Sequence, residues 1–271
     1  MIKKLAMFGL MATLFSGCEL FYPSIHYVES DNPTAVVLVG VTENYLGWDT
    51  ATYYGARVDM DKMYEIATNL TDDVVYIMDM YVYRKNVKEA FRRALQKELC
   101  IFYFTGRGGS DWAIKDRKNE ADHKTDYLIF GDSTLTDNEI WEMMQESKGR
   151  VVLIFDCDMS GTMYRTSPDQ QKRDNEFFSL LGKKVQDNPN LRMICWSRCA
   201  ETVWSPSTPN NTTGSPFTSA IYQTCKYLDS GITYKEAFER MQTYLKGYSK
   251  RYNTPIKTVI GESFEDRLVF R

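Results

Sequence analysis

Leu99-Cys100-Ile101-Phe102-Tyr103-Phe104-Thr105-Gly106-Arg107-Gly108-Gly109 is an apolar run that breaks into a polar, glycine-rich turn. With no alternation of polar and apolar residues before Thr105, the run reads as a strand buried on both faces. A second run of this kind, Val151-Val152-Leu153-Ile154-Phe155, leads into Asp156-Cys157-Asp158-Met159-Ser160-Gly161. Working outward, Ala35 to Val41, Val74 to Met78 and Leu191 to Trp196 are further apolar runs of strand length, and Tyr127 to Phe130 is a shorter one. Between them, Asp59–Leu70, Asn86–Leu95, Phe177–Val185, Phe217–Leu228 and Tyr234–Leu245 read as helices. Thr136-Asp137-Asn138-Glu139 has the form of a capping box opening a helix to Glu146. Fully apolar strands alternating with helices predict an α/β fold: a mostly parallel central sheet with helices on both faces, in three layers. No Pro/Gly linker or repeat divides residues 34–271, so they form one domain.

In an open parallel sheet, working residues collect in the loops just beyond the C-terminal strand ends. Here those loops begin at Thr105-Gly106-Arg107-Gly108 and Asp156-Cys157-Asp158. They resemble the two signatures of the caspase/metacaspase-like cysteine peptidases: a strand ending in Ser-Gly-His-Gly, and another ending in Asp-(small)-Cys-His-Ser-Gly. Other segments are similar to that family too. Gly55-Ala56-Arg57-Val58-Asp59-Met60 looks like its Asn-Asp-Ala helix start. Ser197, Glu201 to Ser205 and Gly214-Ser215-Pro216-Phe217-Thr218 look like the loop and helix start after the fifth strand. Asn253-Thr254-Pro255 and Leu268-Val269-Phe270 resemble its last strand region. The resemblance spans about residues 34–271 and implies the caspase-like three-layer sandwich.

Two departures bear on function. The resemblance sets Arg107 at the position of the base histidine and Asp158 at that of the nucleophilic cysteine. A Cys–His peptidase needs a thiolate to attack the carbonyl and an imidazole to move the proton. A guanidinium carries five donors and no acceptor, and a carboxylate is a poor nucleophile towards an amide. No catalytic residue is therefore expected, and the opposite charges at 107 and 158 predict an ion pair of about 4 Å or less. Cys157 is the alternative nucleophile, although neighbouring strand residues point to opposite faces. His123 lies in a charged loop and His26 near the N-terminus, and the chain has only these two histidines. The resemblance further implies that Asp59 and Asp156 line an acidic pocket for a basic side chain, with Thr105 and Ser197 beside it. The plainer alternative is that Asp59 caps a helix and Asp156 bonds backbone amides.

The first residues form a separate object. Lys3 and Lys4 precede an apolar run from Leu5 to Phe15, then Ser16-Gly17-Cys18. A run of about eleven residues falls short of the ~20 needed to span a bilayer but suits a secretory signal. Leu14-Phe15-Ser16-Gly17-Cys18 resembles a bacterial lipobox, with Phe15 where the family usually has Leu. That resemblance implies a signal peptide over 1–17, lipidation of Cys18, a tether over 18–33 and localisation to the bacterial cell envelope, on the periplasmic or surface side. A plain signal peptide cleaved nearby is the alternative. Without Cys18, five cysteines remain. An odd number rules out a complete disulfide framework. Cys100, Cys157 and Cys195 lie in apolar runs and read as core thiols. Cys195 and Cys199 have no nearby histidine, so no metal site is expected there.

A net charge of −3 gives no electrostatic footprint for nucleic acid. Three readings compete. The first is a non-catalytic caspase-fold lipoprotein, a binding or scaffold module for a peptide or protein ligand carrying basic residues. The second is a cysteine endopeptidase of altered mechanism using Cys157, with a preference for basic residues. The third is a structural lipoprotein. None of them calls for a cofactor.

Overall fold

A computed structural model describes residues 25, 27, 30–42, 54–111, 125–131, 133–157, 192–199, 213–227, 232–252 and 257–262. The expected helix at 177–185, His26, His123, Cys18 and Asp158 lie outside them.

Six strands form the central sheet in the order β2-β1-β3-β7-β8-β9. These are β1 (Thr34–Gly40), β2 (Val74–Met78), β3 (Leu99–Gly106), β7 (Arg150–Cys157), β8 (Arg192–Cys199) and β9 (Lys257–Glu262). The first five run parallel, and β9 runs antiparallel to β8. The mostly parallel sheet expected from the apolar runs is therefore present. Every residue of β3 is buried, which is why its sequence shows no alternation. The last strand lies at Lys257–Glu262, between the two segments the resemblance had suggested. An edge strand with Lys and Glu at its ends lacks the continuous apolar run that announced the others.

The helices are α1 (Tyr54–Leu70), α2 (Arg84–Ala94), α3 (Asp137–Met144), α4 (Pro216–Tyr227) and α5 (Tyr234–Tyr252). They divide between the two faces of the sheet and enclose two cores. On one face Val37, Val39, Phe102, Phe104, Val151 and Leu153 pack with Val87, Ala90 and Phe91 of α2 and Ile140 of α3. On the other, Val36, Leu38, Ile101, Tyr103, Val152 and Ile154 pack with Met60 and Met63 of α1, Phe217 and Ile221 of α4, and Phe238 and Met241 of α5. This is the three-layer arrangement.

The capping box is formed as its sequence predicts. Thr136 Oγ1 accepts from the Glu139 amide at 3.2 Å, and Glu139 Oε2 accepts from the Thr136 amide at 3.3 Å. Two helices exceed their expected lengths. α1 begins at Tyr54 rather than Asp59, because Ala56 is buried and adds a turn to the apolar face. α5 runs on to Tyr252 through Lys246, Gly247 and Lys250, where exposed residues remove the apolar spacing. A second sheet, β4 (Gly108–Asp111), β5 (Thr125–Ile129) and β6 (Thr134–Thr136), is antiparallel throughout. Only β5 was legible; β4 is polar and glycine-rich, and β6 is three residues long.

The segment before β1, expected to be a tether, packs on the domain where it is described. Ile25 and Tyr27 lie against the α2 side of the sheet. Arg93 sits over the Tyr27 ring at 5.3 Å, Lys97 Nζ donates to the Ser30 carbonyl at 2.5 Å, and the Leu99 amide donates to the Pro33 carbonyl at 3.1 Å. No helix among the described residues is long and apolar enough to cross a membrane.

Candidate functional site

Strands β3 and β7 are neighbours, in a register that pairs Thr105 with Asp156 and Gly106 with Cys157. The two distinctive strand ends therefore meet at one edge of the sheet. Gly40 of β1 pairs with Thr105 on the other side. Gly106 carries a positive φ of 156°, and a Cβ there would come within 3.2 Å of Val41 Cβ and 3.1 Å of the Phe104 ring. The turn out of β3 is thus closely packed from below. Arg107 follows, half-buried, with its carbonyl accepting from the Ile129 amide of β5 at 3.0 Å.

The pleat sorts the next residues by face. Thr105 and Asp156 point to the α1/α4 side, along with Tyr103 and Ile154. Cys157 points to the opposite side and is fully buried in the core that holds Val41, Phe104 and Phe130. Cys100 and Cys225 are likewise buried, and none of the three is in a disulfide. Burial pushes the Cys100 and Cys225 thiols far above the ordinary range. Apolar burial of this kind disfavours the thiolate form.

Asp59 and Asp156 are brought to one place, and both are wholly buried. Asp59, on α1, accepts from the Ser215 amide at 2.8 Å and more weakly from Thr105 Oγ1 at 3.4 Å. Asp156 accepts from Thr218 Oγ1 at 2.6 Å. Because the Thr218 proton goes to the carboxylate, the Tyr103 hydroxyl must be the donor in its 2.6 Å contact with Thr218. Burial holds the Tyr103 phenol well above its usual range, and the charges of Asp59 and Asp156 add to this. The result is a chain of donors running Tyr103 to Thr218 to Asp156. Asp59 does not cap its own helix in these contacts; it grips the start of α4. Asp156 takes the Thr218 hydroxyl there.

The start of α4 is built for that role. Pro216 occupies its first position, where a missing N–H costs nothing. Ser215 Oγ accepts from the Phe217 amide at 3.0 Å. Gly214 sits at φ 80°, and a Cβ there would lie 2.3 Å from Asp59 Oδ1. Lys62, one turn after Asp59, donates to the Thr213 carbonyl at 3.0 Å and to Ser219 Oγ at 2.8 Å. Tyr103, Ser215, Thr218 and Lys62 were not singled out from the sequence as site residues. The signal for Thr218 was present in Gly214-Ser215-Pro216-Phe217-Thr218, whose first helical turn must point at the strand ends. Ser197 lies on β8 opposite Phe155 of β7. Beside the site, Asp79 adopts φ 49° and accepts from the Thr42 amide at 2.9 Å, from the Thr42 hydroxyl, and from Arg57 at 2.9 Å. This fixes the chain leaving β1. Among the described residues, no group of three His, Cys, Asp or Glu is placed to hold a metal ion.

A six-stranded, mostly parallel sheet with helices on both faces and its polar cluster at the β3/β7 strand ends defines the class. The Caspase domain family model matches residues 35–261, and the chain belongs to that family. No curated protein sequence matches the chain. Among solved structures, caspase-1 from Spodoptera frugiperda is similar with a TM-score of 0.55 and 10% identity, over 91% of this chain and 98% of that one. A protein from Geobacter sulfurreducens is similar with a TM-score of 0.54 and 15% identity, over 85% of this chain and 94% of that one. At these identities the likeness is one of fold.

The expected contact between Arg107 and Asp158 falls on a residue outside those described. A double-mutant cycle on Arg107→Ala and Asp158→Ala, read by chemical denaturation, is expected to give a coupling of roughly 0.2–1 kcal/mol, as for a solvent-exposed pair. A coupling of zero within error, with either variant as stable as the parent, would remove the pair.

Proposed function

We propose that this chain is a non-catalytic member of the caspase-domain family, a lipoprotein that acts as a binding or scaffold module at the bacterial envelope. The observation that carries this reading is the chemistry at the end of β3. The residue following Thr105-Gly106, where the family signature has its base histidine, is Arg107. A guanidinium cannot take a proton from a nucleophile. Cys157, the thiol at the end of β7, is buried on the face opposite the two carboxylates. The endopeptidase reading that relies on Cys157 thus lacks an accessible thiolate and a base.

Purified protein is expected to leave Arg- and Lys-containing peptides uncleaved, with or without calcium, and to resist thiol-directed peptidase probes. Turnover that vanishes in a Cys157→Ala variant would overturn the reading.

The ligand we favour is a peptide or protein segment with basic residues, because two buried carboxylates concentrate negative charge at the β3/β7 strand ends. Asp59 and Asp156 already hold Ser215 and Thr218. A basic side chain would therefore have to displace the start of α4 to reach them, and affinity is expected to be weak.

Membrane attachment rests on the lysines, the short apolar run and Ser16-Gly17-Cys18. Expressed in a bacterium, the full chain should partition into detergent and carry acyl chains, each buried methylene adding about 0.8 kcal/mol to retention. A Cys18→Ser variant that fractionated with membranes as before, still acylated, would sink this part.

A further inference from the structure

β2 ends the sheet, and no strand among the described residues pairs with its outer side. Its ladder with β1 runs without a bulge from Val36 opposite Val74 to Gly40 opposite Met78. The Val36 amide donates to the Asp73 carbonyl, so the backbone groups of Val75 and Ile77 turn toward β1. The N–H and C=O of Val74, Tyr76 and Met78 therefore face outward. Val-Val-Tyr-Ile-Met holds no charge and no proline, the devices that usually blunt such an edge. Val75 and Ile77 enter the core on the α2 side, while Val74 and Met78 pack on the other. Tyr76 stands between the latter two and stays 38% exposed. Its ring meets that of Tyr64 on α1 edge-on, with centroids 5.6 Å apart, and Tyr64 is 45% exposed. Asp61, one turn earlier on the same face of α1, is exposed as well. Burial raises the Tyr76 phenol above its usual range, and the neighbouring Asp61 carboxylate raises it further. Arg57, which acts on Tyr76 in the opposite sense, is already paired with Asp79 at 2.9 Å.

We propose that the outer side of β2 takes an extended segment of another protein as an added strand, with a Lys or Arg of that segment seated on Tyr76 and Asp61. This surface is separate from the carboxylates at the β3/β7 strand ends and does not depend on them. In an antiparallel addition, the residue opposite Tyr76 exchanges both backbone bonds with it. Its side chain then stands on the same face, with its Cβ about 5 Å from that of Tyr76. A basic side chain there lies against the Tyr76 ring and reaches the Asp61 carboxylate. An acidic one meets Asp61 and is repelled. The residues before and after it fall on the face of Val75 and Ile77, which suits apolar side chains. Charge also decides against a second copy of this chain. Pairing β2 with itself about a two-fold axis through Tyr76 sets both Asp61 carboxylates on one face of the joined sheet, beside the axis. Two five-residue edges also cover little of the roughly 1,200–2,000 Å² that a stable interface buries. A single short strand held by backbone bonds and one basic anchor binds weakly and reversibly.

The test is fluorescence anisotropy of labelled peptides titrated with the full chain. The probe is Thr-Val-Lys-Val-Thr between Gly-Ser ends, beside the same peptide with Glu for Lys and a third N-methylated at the Lys. The Glu peptide should bind at least about five-fold more weakly, having lost the ring and carboxylate contacts. N-methylation removes the N–H aimed at the Tyr76 carbonyl and should cost about ten-fold or more, with the charge unchanged. In an Asp61→Asn variant the gap between the Lys and Glu peptides should shrink to about two-fold or less. Asp61 is exposed, so that variant should keep the parent's denaturation midpoint. Lys peptides that bind equally with and without the N-methyl group would overturn strand addition and leave only charge. A gap undiminished in Asp61→Asn would remove the seat on α1. No binding of the Lys peptide would defeat the proposal outright. A chain that sediments as a dimer and is dispersed by the peptide would give the edge to a second copy instead.

Discussion

Replacing Asp73 by alanine is expected to lower the unfolding free energy by about 2–4 kcal/mol. Asp73 joins α1 to β2 and is only 2% exposed at its side chain. Arg93 grips it with both terminal nitrogens, Nη1 at 2.6 Å and Nη2 at 3.1 Å, and Lys97 lies 3.4 Å away. Around this carboxylate the backbone is also closed: the Val36 amide donates to the Asp73 carbonyl, and the Asp73 amide donates to Thr71 Oγ1. Removing one partner of a buried pair typically costs roughly 3–5 kcal/mol, because the other charge is stranded. Arg93 keeps 24% of its side-chain exposure and can recover some hydration, which places the expectation below the top of that range. Against a total stability of about 5–15 kcal/mol the loss is large. Urea denaturation measures it. An Asp73→Ala/Arg93→Leu double variant should lose less than the two single losses added together. A single-variant loss under 1 kcal/mol would mean that the pair does little for the fold.

Gly214→Ala should be destabilising by about 2–4 kcal/mol, whereas Gly247→Ala should stabilise. At Gly214 the backbone is left-handed, which costs an L-residue roughly 1–2 kcal/mol. The new methyl would also fall 2.3 Å from Asp59 Oδ1. To clear it, the carboxylate must leave the Ser215 amide, and a buried hydrogen bond to a charge contributes about 1.5–3 kcal/mol. Gly247 lies in α5 with nothing within 4 Å of a Cβ, so alanine there gains about 0.5–1 kcal/mol of helix propensity. Opposite signs for the same substitution, read as shifts in denaturation midpoint, are the expected result. If Gly214→Ala were neutral, Asp59 would not be holding the start of α4.

The centre of the sheet was legible because β1, β3 and β7 are buried on both faces. Burial on both faces removes alternation, and the runs at Val36, Leu99 and Val151 stand out for that reason. The capping box at Thr136 was legible because its bonds span three residues. What failed to register was either polar or short. β4 is Gly-Gly-Ser-Asp, β6 has three residues, and β9 is an edge strand with charged ends. The site was half legible. Thr105, Arg107, Asp156 and Cys157 could be placed at strand ends from sequence, and Asp59 beside them by resemblance to the family.

The sequence by itself determined where the five parallel strands and helices α1 to α5 fall along the chain, and therefore the three-layer fold, because apolar periodicity is a local property. It also shows Arg107 and Asp158 just beyond the apolar runs of β3 and β7, where the resemblance implies the family's dyad. Only the tertiary structure decided what meets the carboxylates. Ser215 is 156 residues from Asp59, and Thr218 is 62 from Asp156. No periodicity records contacts at such separation. The packing of α4 against the strand ends creates them, and it closes both carboxylates from water. Tertiary packing likewise decided that Tyr27 and Ser30 lie on the α2 side. Their partners, Arg93, Asp72 and Lys97, become neighbours only once the sheet has formed.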